Sequence, residues 1–164
     1  MAAAAIVKAI QRLTGINTEI KWVNDIYLNN KKMAGILTEA ISSIESGRIT
    51  DVIIGVGLNF SISDFPEELA NKATSLFTSE KPSITRNQLI SEIWRLFLTI
   101  PTSDLVKVYK EKSLVLDKQV TFEQAGKTYT GVAKEIGDKG QLLVLTDDGR
   151  EKWLTAGEVS LTSW

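Results

Sequence analysis

Three features of the chain predict an α+β fold: an amphipathic helical period at its start, two stretches of strand pattern between residues 19 and 60, and five short alternating segments near its end. The first two belong to an N-terminal unit, residues 1–114, expected to be a mixed sheet with helices. The third is a small β-barrel over residues 115–164. The change of character falls near residues 113–117.

Each element has a local reason. Ile6, Ile10 and Leu13 repeat at i, i+4, i+7 over residues 2–13, and Gly15 is placed to end that helix. Residues 19–23, 26–28 and 31–39 read as closely connected antiparallel strands, with Asn24-Asp25 and Asn29-Asn30 as turns. On the third strand a period of two puts Lys32, Ala34, Ile36 and Thr38 on one face and Met33, Gly35 and Leu37 on the other. The segment Asp51–Phe60 is apolar on both faces, the pattern of a central, fully buried strand.

Ser63 or Asp64 can cap a short helix with Pro66 in its first turn. Thr85 and Gln88 form a capping box for a helix carrying Leu89, Ile90, Ile93, Trp94 and Phe97. Ser103 can cap another, running to Lys112. Strands follow at 118–123, 127–136, 141–146, 150–154 and 158–161, separated by glycine-containing turns.

Composition narrows the chemistry. The 164 residues include no Cys and no His, which removes disulfides, thiolate zinc sites, imidazole bases and the Ser-His-Asp arrangement. Carboxylates, lysines, arginines, hydroxyls and backbone dipoles remain. With 19 basic and 20 acidic residues, and 13 against 12 of them in residues 1–112, no basic patch points to nucleic acid. No run of about 18 apolar residues suggests a membrane span, and no secretion signal is evident, so a cytoplasmic location is expected.

Three local patterns carry candidate chemistry. Asn24-Asp25 leaves a strand; it is either a plain turn or an amide and a carboxylate aimed at a ligand. Lys32 precedes Ala34 and Gly35; a strand lysine is commonly a solvated edge residue, but beside a glycine it can neutralise a carboxylate or phosphate. Gly55-Val56-Gly57-Leu58-Asn59 places two glycines in an apolar strand, for close packing or as a floor beneath a flat ligand, with Asn59 able to donate and accept. The start Gly-x-Gly is not a dinucleotide fingerprint, because Phe60 occupies the third glycine position, and no phosphate-binding loop of form GxxxxGK[ST] is present.

In order and spacing, KWVNDIYLNNKKMAGILTE followed by DVIIGVGLNF resembles the central segment of biotin–protein ligases. PEELANKATSL and SLVLDKQVTF resemble its later helices and domain junction, and residues from Gly131 to Leu161 resemble its SH3-like C-terminal domain. The resemblance covers about 20–163 and implies a partial class II synthetase-like core followed by that barrel.

It also implies a reaction: the biotin carboxylate joins the α-phosphate of ATP, and the biotinyl-5'-adenylate then meets a lysine of a biotin carboxyl carrier protein or domain of acetyl-CoA carboxylase. Residue by residue, Lys32 matches the catalytic lysine and a biotin contact, and Asp25 a carboxylate at the reaction centre. Gly35, Leu37 and Gly55 match biotin contacts, and Asn24, Gly57, Leu58 and Asn59 positions near the nucleotide. Mg²⁺ is expected with the ATP phosphates rather than at a dedicated protein metal site.

Two departures stand out. Val23 replaces the family's proline. The family's glycine–arginine loop of form GRGRxGR does not occur in this sequence, so weak ligand binding and poor adenylate formation by the chain alone are expected. The same holds for upstream strands of the family's sheet, whose absence predicts an unpaired edge and homodimer formation. The family's DNA-binding segment is likewise absent from the sequence. The alternatives are a non-catalytic biotin- or adenylate-binding module and a relative of lipoate ligases.

Overall fold

The computed structural model describes residues 1–43, 45–78 and 81–162. The last two residues of the expected C-terminal unit therefore lie outside the described residues. Among the described residues, three helices and two antiparallel sheets follow one another along the chain.

Helix α1 (Ala2–Thr14) is built from residues of high helix propensity, and its inward face, from Ala3 to Ile10, is almost wholly buried. Gly15 ends it at φ 73°, where a side chain would be strained, and returns its N–H to the Gln11 carbonyl. The first sheet holds β1 (Glu19–Lys21), β2 (Asp25–Leu28), β3 (Lys31–Ser42) and β4 (Ile49–Leu58), in that spatial order. Helix α2 (Arg86–Thr99) opens with the expected capping box between Thr85 and Gln88, a device worth about 1 kcal/mol. Helix α3 (Thr102–Glu111) follows, and α1 packs against both.

The C-terminal sheet contains β5 (Gln119–Gln124), β6 (Lys127–Ile136), β7 (Leu142–Thr146), β8 (Glu151–Leu154) and β9 (Val159–Leu161), ordered β8-β7-β6-β5-β9. Alternate residues, including Val120, Phe122, Ala133, Val144 and Leu154, turn inward. They join α1 and the first sheet in one continuous apolar cluster. Among the described residues no helix is long and apolar enough to cross a membrane.

Three expectations fail, for identifiable reasons. First, the 51–60 stretch is not a central buried strand. β4 lies at the edge of its sheet and is exposed along nearly its whole length, with Ile49 at 65% and Val52 at 55%. Apolar residues on both faces show what a strand is suited to contact, whereas its burial depends on elements brought to it from elsewhere.

Second, the short helix expected to start at Ser63 or Asp64 does not form among the described residues. Residues 66–73 make successive turns closed by bonds such as Ala70 N–H to Pro66 carbonyl, 3.0 Å, and Ala73 N–H to Leu69 carbonyl, 2.8 Å. Propagation stops because the chain is diverted onto β3: Lys32 N–H reaches the Lys72 carbonyl at 2.8 Å and Thr74 N–H the Lys32 carbonyl at 2.9 Å.

Third, strict alternation on β3 breaks at its start. Ile26 faces Ala34, but Tyr27 faces Lys32, so Met33 is an extra residue in the ladder. Met33 and its neighbour Ala34 are both buried as a result.

The C-terminal sheet supplies a sharp test of packing. A Cβ placed on Gly131 would fall on the backbone carbonyl of Leu145 in the adjacent strand. Gly131→Ala is expected to destabilise the protein by about 3 kcal/mol, lowering Tm by about 6–12 °C in thermal denaturation followed by circular dichroism.

Candidate functional site

The bulge at Met33 determines the site. Asp25 is the cross-strand partner of Gly35, and Gly35 in turn faces Gly57. One row across three strands therefore reads Asp25, Gly35, Gly57, and the next row reads Leu37 and Gly55. Strict alternation would put Lys32 on the opposite face from Gly35. Instead its Cε and Nζ lie 3.3 and 3.4 Å from where a Gly35 Cβ would stand, and Asp25 Oδ1 lies 3.4 Å from that point. Lys32 Nζ meets Asp25 Oδ1 at 2.6 Å. The empty side-chain position of Gly35 is what admits this contact.

The pair is accessible: the side chains are 47% exposed for Lys32 and 25% for Asp25. An ion pair so placed contributes about 0.2–1 kcal/mol, too little for stability to be its evident purpose. It presents a cation beside a carboxylate at the end of a bare backbone floor. An anionic ligand there can recruit the ammonium, and Asp25 can orient it or accept a proton.

The glycines of the floor separate into two kinds. Gly35 is crowded by the ion pair. Gly55 and Gly57 are not crowded: among the described residues, added Cβ atoms would meet only Leu37 and Gly35 of β3, at 3.8–4.0 Å, which is ordinary contact. Neither has a positive φ. Among the described residues, close packing therefore does not account for this glycine pair. Two glycines in an exposed strand weaken it without any return in packing among the described residues, and they leave a flat stretch of bare backbone on that face. Leu37, 64% exposed, stands beside them as an apolar contact.

The remaining expected residues divide. Asn24 lies in the turn before β2, half-buried, and its carbonyl accepts the Ile36 N–H at 3.0 Å. Asn59 follows β4 and donates its side-chain amide to the Thr74 carbonyl at 2.9 Å, while its own carbonyl accepts from Leu76 N–H and Ser75 Oγ. Its amide thus secures the 74–76 segment against β4. Leu58 points the other way. It pairs with Ala34 and, with Ile54 and Val56, lines an apolar groove of about 370 Å³ against Ile6 of α1 and Ile90 and Trp94 of α2. The sheet keeps Leu58 and the Gly35–Gly57 floor on opposite faces.

Sequence reasoning missed the residues that hold the Asn24-Asp25 turn. Trp22, buried, donates its indole N–H to the Gly140 carbonyl at 2.8 Å. Tyr109 donates its hydroxyl to the Val23 carbonyl at 2.6 Å, and burial pushes its phenol well above the usual range. Lys21, buried among strands, reaches Glu158 at 3.4 Å. The one available signal was Trp22 itself, a large aromatic directly before polar turn residues.

The chain matches the biotin/lipoate A/B protein ligase family over residues 1–59, which extends the likeness upstream of residue 20 and takes in every candidate site residue. It matches the biotin protein ligase C terminal domain over 115–162. The bifunctional ligase/repressor BirA of Bacillus subtilis is 35% identical over 165 residues, covering 95% of this chain and 50% of that protein. The biotin–[acetyl-CoA-carboxylase] ligase of Mycobacterium tuberculosis is 32% identical over 149 residues, covering 87% and 52%.

The apo structure of biotin protein ligase from Aquifex aeolicus superposes with a TM-score of 0.77 at 25% identity, over 99% of this chain and 73% of that one. This chain spans about half the length of the curated relatives it matches.

Packing alone separates the roles of the glycines. Gly57→Ala is expected to leave Tm unchanged or slightly raised. Gly35→Ala is expected to preserve the fold but force the Lys32–Asp25 contact apart by a few tenths of an ångström, read as a changed lysine Cε resonance in ¹³C NMR.

Proposed function

We propose, for a chain that belongs to the biotin protein ligase family, that the floor of Gly35, Leu37, Gly55 and Gly57 receives biotin and the nucleotide of ATP. The Lys32–Asp25 pair then stands at the reacting groups. The observation that carries this reading is the row Asp25–Gly35–Gly57 with Lys32 folded over Gly35, since neither packing nor stability accounts for it.

In the proposed reaction an oxygen of the biotin carboxylate attacks the α-phosphorus of ATP and pyrophosphate leaves, forming biotinyl-5'-adenylate. Both partners are anionic. The Lys32 ammonium offsets their repulsion as charge concentrates between them, an effect strongest in a water-poor site. In the second step the ε-amine of a carrier-protein lysine attacks the acyl carbon, AMP leaves, and an amide forms. Asp25 is placed to orient Lys32 or to accept the proton released from that amine. Asn24 and Asn59 flank the nucleotide end, Asn59 through the segment it secures.

Asp25 is the carboxylate within reach and is engaged with Lys32. Mg²⁺, if it takes part, is therefore held chiefly by the ATP phosphates, whose charge it would neutralise. The acceptor is the biotin carboxyl carrier protein or domain of acetyl-CoA carboxylase. The exposed β4 edge, with unpaired backbone groups and apolar residues on both faces, favours self-association strand to strand.

Isothermal titration with a non-hydrolysable biotinyl-adenylate analogue tests the site. Weak binding to the chain is expected, falling about tenfold or more in Lys32→Ala, a difference of about 1.4 kcal/mol. No binding by either, or equal binding by both, would overturn the assignment. Competition by lipoate rather than biotin would move the protein to the lipoate branch of the family. For association, light scattering is expected to show a concentration-dependent dimer that Val52→Lys weakens.

A further inference from the structure

We infer that Trp22 is a positioning residue of this site, acting through its hydrogen bond to the turn that joins β6 to β7 in the C-terminal sheet. The inference rests on the ligase reading above and adds a specific element of control to it.

The path is short and continuous. Gly140 sits at φ 83°, a conformation suited to glycine, in a turn closed by Gly140 N–H to Gly137 carbonyl at 2.9 Å and Gly137 N–H to Gln141 carbonyl at 2.8 Å. The direction of its carbonyl is thereby set, and Trp22 donates to it at 2.8 Å. Trp22 is only 2% exposed, so its ring cannot reorient without opening the packing around it.

Its neighbours are anchored the same way. Ile20 exchanges bonds with Lys112 and Leu114 at 2.7 and 2.8 Å, Lys21 reaches Glu158, and Val23 accepts from Tyr109. All four residues before the Asn24-Asp25 turn are thus held by groups between residues 109 and 158. Three residues after Trp22, Asp25 faces Gly35 and grips Lys32 at 2.6 Å.

Stability alone would be served by any large apolar side chain at this position. The indole N–H adds direction: it sets where strand β2 begins, and so where the Asp25 carboxylate stands over Gly35. Because displacement of a reacting group by about 1 Å costs up to about a hundredfold in rate, a bond remote from the ligand can govern the site.

Trp22→Phe, which keeps an aromatic ring and removes the donor, is the test. Two readouts are taken on the full chain: the ¹³C shift of Lys32 Cε, and affinity for the non-hydrolysable biotinyl-adenylate analogue. Phe122→Leu in β5, remote from the turn, serves as a purely structural comparison.

The expected result is a Tm fall of about 2–4 °C in Trp22→Phe, together with a Lys32 Cε shift moved toward that of free lysine and an affinity lower by about tenfold. Phe122→Leu, with an equal or larger Tm fall, leaves both readouts unchanged. An unaltered Lys32 shift in Trp22→Phe, or the same change in Phe122→Leu, overturns the inference. If the unmodified chain fails to bind the analogue, the ligase reading falls, while the Lys32 shift still decides whether Trp22 positions the pair.

Discussion

The register between β2 and β3 is the constraint on which the site depends. One extra residue, Met33, lets Ile26 face Ala34 while Tyr27 faces Lys32, and so turns the lysine onto the face that carries Gly35 and Asp25. Moving a strand by one residue reverses every side chain it presents; here the reversal is confined to the first turn of the ladder. Met33 and Ala34 can both bury because of it, so the apolar core and the position of a charged group are decided by the same irregularity. The bulge is held from the far side too, since the 72–74 segment bonds to both backbone groups of Lys32.

Beyond that row the sheet offers little of its own. β4 and the outer half of β3 are exposed, and Gly55 and Gly57 answer to no packing demand among the described residues. A strand that is apolar, glycine-interrupted and uncovered is poorly explained as a contribution to folding. One of its faces carries the bare backbone of Gly55 and Gly57; on the other, Ile54 and Val56 line the apolar groove beside α1 and α2. The two faces are chemically distinct, and the separation of Leu58 from the glycine floor follows from the ordinary alternation that resumes after the bulge.

The C-terminal sheet is integral to this arrangement. It shares a continuous apolar cluster with α1 and the first sheet, and its turn at Gly137–Gln141 holds Trp22. Lys110 meets Asp138 of the same turn at 3.2 Å. That second contact is between exposed groups and adds little; the buried indole bond is the one with directional consequence.

The sequence by itself determined the local elements. Helical period, a capping box and glycine-bearing turns specify short-range geometry, and α1, α2, α3 and the five C-terminal strands stand close to where those signals put them. It also determined the chemistry on offer, because a chain without His or Cys is left with lysines, arginines, carboxylates, amides, hydroxyls and backbone, and Lys32, Asp25, Gly35 and the Gly55–Gly57 pair were readable as candidates among them.

Only the tertiary structure decided what meets what. The bulge could not be read from β3, because register is a property of two strands. The exposure of β4 depended on whether another element covers it, and apolar residues alone do not say. The expected helix after Ser63 gave way to turns because Lys32 offered its backbone a partner. Trp22 acquired its part from a carbonyl 118 residues away, and no local pattern encodes a contact of that separation.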